Sequence, residues 1–200
     1  MVNNENETSF YALMSRMRYI SRWGLMRSSI PENIQEHSHE VAVYAHALGM
    51  IRREVFRRDC DAEHLAVLAL YHDASEILTG DLPTPIKYHD KAIRTAYKDV
   101  ERLAEEKLLG MLPESLREPY RGAIQPETAD DAALVKAADK LSALVKCMEE
   151  RKAGNREFLS AEAQTRAALE AMALPEVDWF LQNCLPAFEK NLDELGAMEP

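Results

Sequence analysis

The sequence predicts an all-α fold, a single-domain helical bundle, from three observations. The 200-residue chain holds only seven glycines, and no segment shows the polar–apolar alternation of a half-buried β-strand. Apolar residues instead recur at steps of three and four along most of the chain. No internal repeat, low-complexity tract or linker divides the sequence, and a chain with 46% hydrophobic residues is long enough for one substantial core.

Three helices are predicted in the first half of the chain. The first covers residues 10–19, and the second begins after Asn33. Its buried face is marked by five apolar residues at helical spacing: Val41, Tyr44, Leu48, Ile51 and Val55. The third covers residues 62–78, with Asp61 as its N-cap and Gly80 as its terminator.

The second half begins with a stiff loop at residues 80–85, where two prolines fix φ and remove backbone donors. Four longer helices are predicted to follow, at residues 91–112, 130–152, 156–173 and 176–195. Residues 113–120 are predicted to form a shorter helical turn between the first two, and residues 122–129 a loop.

The composition excludes several classes of protein. The chain has 24 basic and 34 acidic residues, a net charge of −10, so it lacks the basic surface that binds a nucleic-acid polymer. Its three cysteines are widely spaced and odd in number, as in reduced cytosolic proteins. Residues 1–9 are polar and acidic, and we predict a flexible tail rather than a signal peptide. With no apolar stretch of about 18 residues, we expect a cytoplasmic protein with no membrane partner.

Two side chains that can bind a metal, His72 and Asp73, stand side by side after an apolar run. Unpaired polar groups there would cost free energy, which a divalent cation would offset. His37 and Asp139, on the apolar faces of two other predicted helices, offer two further ligands. Two imidazoles and two carboxylates suit a borderline divalent ion such as Mn²⁺, Co²⁺, Fe²⁺, Ni²⁺ or Zn²⁺. A six-coordinate ion would keep positions for water and a substrate oxygen, so the set predicts a catalytic metal site.

Each of these assignments has a plainer alternative. A His–Asp dipeptide taken alone is more often a local surface pair. Glu76 lies four residues after His72, on the same helical side, where it is either a general base or an ordinary helix-end carboxylate. The guanidinium of Arg22 suits a phosphate, yet composition alone does not separate it from the neighbouring arginines. Trp23 either lines a pocket or packs in the core.

The segments around these residues resemble the HD phosphohydrolase superfamily, and more closely the bacterial 5'-deoxynucleotidases of the YfbR type. The resemblance rests on residues 21–23, 36–38, 71–76, 78–85 and 136–139. It implies an HD-type domain over residues 10–200, a homodimer, and removal of the 5'-phosphate from deoxyribonucleoside monophosphates. It also implies one divalent ion per subunit, Co²⁺ or Mn²⁺ first, with Cu²⁺, Zn²⁺, Ni²⁺ or Fe²⁺ as alternatives.

The same resemblance assigns roles to individual residues. The metal ligands it implies are His37, His72, Asp73 and Asp139. Glu76 is the implied general base, and Arg22 the implied catalytic residue that orients the phosphate. The implied substrate-binding residues are Arg22, Trp23, His37, Asp73, Asp81, Leu82, Pro83, Thr84 and Asp139.

Two readings remain open beside the deoxynucleotidase, which makes three in all. An HD domain could act on another nucleotide, but no GYP tripeptide of the cyclic-dinucleotide phosphodiesterases is present. Guanosine tetraphosphate hydrolases carry HDxxED, whereas residues 72–77 of this chain end in Ile77. Deoxynucleoside triphosphohydrolases are generally larger. A non-catalytic helical interaction module is the third reading, and the intact set of metal-competent residues argues against it.

Overall fold

The computed structural model describes residues 8–87 and 89–196, except for the side chains of Thr84 and Pro85. Ten α-helices form within these ranges. They are α1 Phe10–Met14, α2 Ile34–Met50, α3 Ala62–Tyr71, α4 Glu76–Thr79, α5 Thr84–Lys87, α6 Lys91–Gly110, α7 Glu114–Ile124, α8 Ala129–Lys152, α9 Leu159–Glu170 and α10 Pro175–Asn183. Shorter 3-10 helices lie at Ser15–Tyr19, Arg156–Phe158 and Leu185–Glu189. Over the described ranges no strand forms beyond one antiparallel bridge, Ser21 to Asn33. The all-α prediction is confirmed.

Four of the longer helices begin at a residue whose side chain caps the free backbone N–H groups. Asn33 accepts two such hydrogen bonds at the start of α2, and Asp61 accepts one at the start of α3, as predicted. Asp90 and Thr128 cap α6 and α8 in the same way. A cap of this kind contributes about 1 kcal/mol. The cap on α2 also fixes the first helical turns, which carry His37.

The main core lies where α2, α3 and α8 pack together. Its fully buried members include Val41, Ala45, Leu48, Leu65, Ala69, Leu134, Ala138, Leu141 and Leu144. Gly49 sets the distance between α2 and α3, because a Cβ at this position would lie 2.8 Å from the Cα of Ala62. This close packing brings the start of α2, the end of α3 and the middle of α8 toward one another.

A second apolar cluster joins α1, α6 and α7 to the turn after α3. Its buried residues are Phe10, Ala74, Leu108, Leu109, Leu112 and Ile124. Ala74 directly follows Asp73 in the chain and is fully buried in this cluster. The cluster therefore anchors the short segment that presents His72 and Asp73.

The predicted helix over residues 62–78 is interrupted, which corrects the expectation of one continuous element. α3 ends at Tyr71, residues 72–75 form turns, and α4 begins at Glu76. The chain tightens here because the N–H of Ala74 bonds to the carbonyl of Tyr71, three residues back, at 2.9 Å. α4 ends at Gly80, as predicted, and the φ of +75° at this residue favours glycine.

A second correction concerns Val55, which is exposed rather than buried with the other residues of its predicted face. Residues Ile51–Val55 form a π-helical turn, and the extra residue in that turn rotates Val55 away from the core. Arg52 becomes buried instead. Its Nε donates to Glu176 Oε1 at 2.6 Å, and its Nη1 pairs with Asp130, so the end of α2 is tied to α10 and α8.

Two later boundaries also differ from the prediction. α7 continues through Gly122 to Ile124, where a loop was expected, because Ile124 is buried in the second apolar cluster. The predicted helix over residues 176–195 ends at Asn183, and Pro186 lies in the 3-10 helix that follows. Proline has no backbone N–H to continue an α-helix.

Residues 1–7 of the predicted tail lie outside the described residues, and the assignment of a flexible tail stays a prediction. Thr8 Oγ1 donates to the carbonyl of Met111 at 2.6 Å. No helix in the described parts of the chain is both long enough and apolar enough to cross a membrane.

Candidate metal and phosphate site

The predicted metal ligands come from three separate elements that meet at one end of the main core. His37 lies in the first turns of α2, and Asp139 lies near the middle of α8. His72 and Asp73 occupy the turn that follows α3, and Glu76 begins α4. His37, His72 and Asp139, which are 35 to 102 positions apart in sequence, therefore converge because α2, α3 and α8 share a core.

The distances show how closely these groups approach. His37, His72 and Asp139 each offer one ligand atom, and these three atoms lie within 4.8 Å of one another. His37 Nε2 is 3.2 Å from Asp139 Oδ1. Asp73 Oδ2 is 3.2 Å from His72 Nε2 and 3.6 Å from His37 Nε2. All four residues named from the sequence are thus brought together.

A hydrogen-bond chain fixes the protonation of His37. The hydroxyl of Ser142 donates to Glu40 Oε2 at 2.6 Å, so its oxygen is free to accept from the Nδ1–H of His37, 3.0 Å away. The neutral ring then carries its lone pair on Nε2. Burial lowers the pKa of His37, which favours this neutral form. Ser142 and Glu40 were not singled out from the sequence.

His72 is oriented by its own helix with the same outcome. Its Nδ1 lies 2.7 Å from the carbonyl oxygen of Ala69, which can only accept, so Nδ1 carries the proton and Nε2 the lone pair. Among the described residues, the buried Nε2 atoms of His37 and His72 have no hydrogen-bond partner. Two buried lone pairs directed at two carboxylates are the donor set of a divalent cation. The residues present therefore fit a metal ion.

The two carboxylates at this point are held in the ionised form. Burial alone would raise the pKa of Asp73, but the positive charge that the adjacent His72 carries when it is protonated outweighs burial and lowers the pKa of Asp73 well below its usual range. The pKa of Asp139 is also lowered despite burial, mainly by Lys136, whose Nζ lies 2.5 Å from Oδ2. Metal ligands must be deprotonated, so both groups are ready to bind a cation at neutral pH.

Glu76 lies beside the cluster in a different environment. It is only 4% exposed, and within the described structure its buried Oε2 has no hydrogen-bond partner. Burial, with Asp73 and Asp81 nearby, raises the pKa of Glu76 to about 9. A cation bound to the neighbouring ligands would oppose this shift, since positive charge favours the carboxylate.

Arg22 and Trp23 form one wall of the site. Arg22 Nη1 donates to Asp73 Oδ2 at 3.3 Å, and its Nε donates to Glu32 Oε2 at 3.2 Å. Trp23 Nε1 donates to the same oxygen of Glu32 at 2.6 Å, and its ring centroid lies 5.3 Å from that of Phe158. Glu32 was not predicted, although a partly buried indole N–H generally requires an acceptor.

A cleft of about 580 Å³ opens onto these groups. Eight of the residues predicted for the site line it: Arg22, Trp23, Asp73, Glu76, Asp81, Leu82, Pro83 and Asp139. The side chain of Thr84, also predicted for the site, lies outside the described residues. Three lysines line the cleft as well: Lys87, Lys136 and Lys140. With Arg22 they balance the four carboxylates that line the same cleft, so a bound divalent cation would give the cleft the positive charge that an anionic ligand needs.

The loop after Trp23 is held at its far end by Glu150, which is 2% exposed. This carboxylate accepts from the backbone N–H of Ser29 at 2.8 Å and from Lys146 Nζ at 2.6 Å. These hydrogen bonds, opposed by burial, lower the pKa of Glu150. Glu150 thus fixes the loop that carries one wall of the cleft.

We expect Glu150→Gln to lower the free energy of unfolding by about 3–5 kcal/mol at pH 7, because Lys146 would be left buried without its counter-charge. Since folding lowers the pKa of Glu150, its contribution is fully present above the ordinary value of 4.5 and is lost as the pH falls below it. Urea unfolding should therefore show that the difference in free energy of unfolding between wild type and variant narrows between about pH 5 and pH 3. A difference that does not change with pH would contradict this account of Glu150.

Comparison with known proteins agrees with this geometry. The model of the family described as 5'-deoxynucleotidase YfbR-like matches residues 9–188. A 5'-deoxynucleotidase of Vibrio vulnificus is 47% identical over 192 residues, covering 95% of this chain and 99% of that protein.

Solved structures show the same fold. An HD-domain phosphohydrolase of Listeria innocua superposes with a TM-score of 0.78 at 24% identity, over 90% of this chain and 88% of that one. The HD phosphohydrolase DatZ of cyanophage S-2L, bound to dA and one catalytic Zn²⁺ ion, gives a TM-score of 0.63 at 19% identity, over 90% of this chain and 96% of that one. The chain belongs to the YfbR-like 5'-deoxynucleotidase family.

Proposed function

We propose that this protein hydrolyses deoxyribonucleoside 5'-monophosphates to a deoxynucleoside and phosphate, with one divalent cation per chain. The observation that carries the proposal is the pair of Nε2 atoms of His37 and His72, which have no hydrogen-bond partner in the described part of the chain and are directed at Asp73 and Asp139 beside the cleft. The 5'-deoxynucleotidase activity named for the Vibrio vulnificus relative supports the substrate class.

The four proposed ligands are His37, His72, Asp73 and Asp139. A divalent cation held there supplies Lewis-acid polarisation of the phosphate and lowers the pKa of water. Arg22 binds the phosphate with its planar, permanently charged fork. Nε of Arg22 donates to Glu32 and Nη1 donates to Asp73, whereas Nη2 makes no hydrogen bond to any described residue. Nη2 is therefore the nitrogen that remains for a phosphate oxygen.

Glu76 acts as the general base that accepts a proton from the attacking water. Its position at the start of α4 places it on the cleft wall with Asp73. Its unpartnered Oε2 leaves an acceptor for that proton, and its burial keeps bulk water away from the reacting groups. A phosphate bound to Arg22 would lie in the same cleft as this carboxylate, since both residues line it.

The loop of Asp81, Leu82 and Pro83 forms the part of the cleft proposed to hold the deoxyribose, together with Thr84. Pro83 restricts the loop, so little conformational entropy is lost when a ligand binds. A ribose 2'-hydroxyl placed against this wall would need a polar partner, and one left unpaired would disfavour ribonucleotides. Trp23 lines the nucleoside side of the same cleft.

Three finer assignments belong to this proposal. The family resemblance implies Co²⁺ or Mn²⁺, with Cu²⁺, Zn²⁺, Ni²⁺ or Fe²⁺ as alternatives, and two imidazoles with two carboxylates suit a borderline divalent ion. A homodimer is proposed on the family resemblance. A cytoplasmic location is proposed on the composition and the cysteine spacing.

A phosphate-release screen tests the proposal. Purified protein, stripped of metal with a chelator and reloaded with single divalent ions, is assayed on paired ribo- and deoxyribonucleoside 5'-monophosphates. We expect Co²⁺ or Mn²⁺ to restore release from the deoxy series, with at least about tenfold lower kcat/KM for the ribo series. The proposal would be contradicted if the metal-free protein released phosphate as fast as the reloaded protein. It would also be contradicted if no monophosphate released phosphate with any of the ions tested.

A further inference from the structure

We propose that Glu32 is a positioning residue that holds Arg22 and Trp23 in the arrangement that binds the substrate. The inference rests on the proposed function, in which Arg22 binds the 5'-phosphate and Trp23 lines the nucleoside pocket. Glu32 does not line the cleft that holds these two residues, so it is assigned no contact with the substrate.

A single oxygen of Glu32 joins the two residues. Oε2 accepts from Trp23 Nε1 at 2.6 Å and from Arg22 Nε at 3.2 Å. The main chain strengthens this link, since the N–H of Arg22 donates to the carbonyl oxygen of Glu32 at 2.9 Å. The side chain of Glu32 is 12% exposed, so these charge-assisted hydrogen bonds are partly shielded from water.

Trp23 has a backbone conformation that requires such support. Its φ is +60°, in the left-handed region, where a bulky residue is strained by about 1–3 kcal/mol. Two contacts hold the indole in place, the hydrogen bond to Glu32 and the packing against Phe158. These side-chain interactions therefore hold Trp23 in its strained backbone conformation, and the hydrogen bond to Glu32 is the polar interaction among them.

Glu32 also keeps Arg22 from forming a second hydrogen bond to Asp73. Arg22 Nη1 already donates to Asp73 Oδ2 at 3.3 Å, and guanidinium groups readily form two parallel hydrogen bonds to one carboxylate. With Nε held by Glu32, Arg22 is restricted to one such bond. Without Glu32, the guanidinium is free to rotate onto Asp73, which would take Nη2 away from the phosphate.

The first test is Glu32→Gln, with kinetics on a deoxyribonucleoside monophosphate and a Mn²⁺ titration. The amide keeps an acceptor for Trp23 but loses the charge that holds Arg22. We expect kcat/KM to fall about 10- to 100-fold, the range for a hydrogen bond to a charged group, with a much smaller change in Mn²⁺ affinity because Glu32 is not a proposed ligand. Glu157→Gln is the matched control, since it removes an exposed ion pair to Arg27 on the same loop and should have little effect.

A double-mutant cycle separates positioning from a general loss of stability. If Glu32 acts through Arg22, Glu32→Gln should cost little further kcat/KM in the Arg22→Ala background. If the losses of kcat/KM in the two single variants simply added in the double variant, the proposal would be overturned. A wild-type kcat/KM in Glu32→Gln would overturn it as well. If Glu32→Gln does not fold, Glu32→Asp keeps the charge on a shorter side chain, and wild-type kcat/KM in that variant would equally overturn the proposal.

A second readout does not depend on turnover. The chain has two tryptophans, so Trp179→Phe leaves Trp23 as the only one. In that background we expect Glu32→Ala, which removes the acceptor of the indole N–H, to shift the fluorescence emission of Trp23 to longer wavelength, because the indole is released toward water. Unshifted emission would overturn the role of Glu32 toward Trp23. If the wild-type protein released no phosphate, the proposed function would fail, and this measurement would still test Glu32.

Discussion

Replacing Glu76 with glutamine is expected to lower kcat on deoxyribonucleoside monophosphates by about 10²- to 10⁴-fold, the range for loss of a general base. Glutamine has the shape of glutamate but cannot accept the proton from water. Glu76 is buried beside Asp73, in the cleft, with Oε2 unpartnered among the described residues. Steady-state phosphate release at saturating Mn²⁺ measures the effect.

Metal binding separates this loss from a damaged site. Glu76 is not among the proposed ligands, so the variant should bind Mn²⁺ with an affinity close to that of wild type. Glu63→Gln, on the exposed first turn of α3, is the matched control and should retain full activity. A Glu76→Gln variant that turns over at the wild-type rate would remove Glu76 from the role of base.

Replacing Asp139 with alanine is expected to weaken binding of Mn²⁺ or Co²⁺ by more than about 100-fold, since loss of residues that only orient the ligands already costs 10- to 100-fold. The change removes the carboxylate that lies 3.2 Å from His37 Nε2 and leaves the two histidines with one carboxylate partner. Isothermal titration of the metal-free protein measures the affinity, and phosphate release should fall with it.

The control for Asp139→Ala comes from the same helix. Glu149→Ala removes an exposed carboxylate of α8 and should leave the metal affinity unchanged. If Asp139→Ala bound Mn²⁺ as tightly as wild type, Asp139 would not be a ligand, and the cation site would have to lie elsewhere.

Much of the fold could be predicted from local sequence. Asp61 and Gly80 mark helix ends by short-range chemistry, a side-chain cap and a positive φ, and both lie where expected. The convergence of His37, His72 and Asp139 could also be expected, because each was predicted on the apolar side of a helix and apolar sides share a core, although His72 lies in the turn directly after α3. Their separation in sequence did not prevent the prediction.

The features that local sequence missed depend on distant partners. Arg52 is drawn inward by Glu176, which is 124 residues away, and the π-helical turn at Ile51–Val55 accompanies that contact. α7 extends to Ile124 because that side chain joins a cluster built by α1 and α6. Periodicity within one segment carries no information about either contact.

The missed residues of the site follow the same rule. Glu32 bonds to Trp23 only because the chain between them turns back on itself with a positive φ at Trp23. Ser142 reaches His37 only because α2 and α8 pack together. The sequence predicted which groups bind and react, whereas the groups that orient them were found only in the three-dimensional structure.

The most direct measurement is a crystal structure of Glu76→Gln grown with Co²⁺ and a deoxyribonucleoside monophosphate, with anomalous scattering used to locate the cobalt. We expect one cobalt peak per chain, in contact with His37, His72, Asp73 and Asp139, and a phosphate bound to Arg22 in the same cleft. Cobalt bound at another place, or these four side chains directed away from one another with the nucleotide present, would contradict the metal-dependent phosphatase described here.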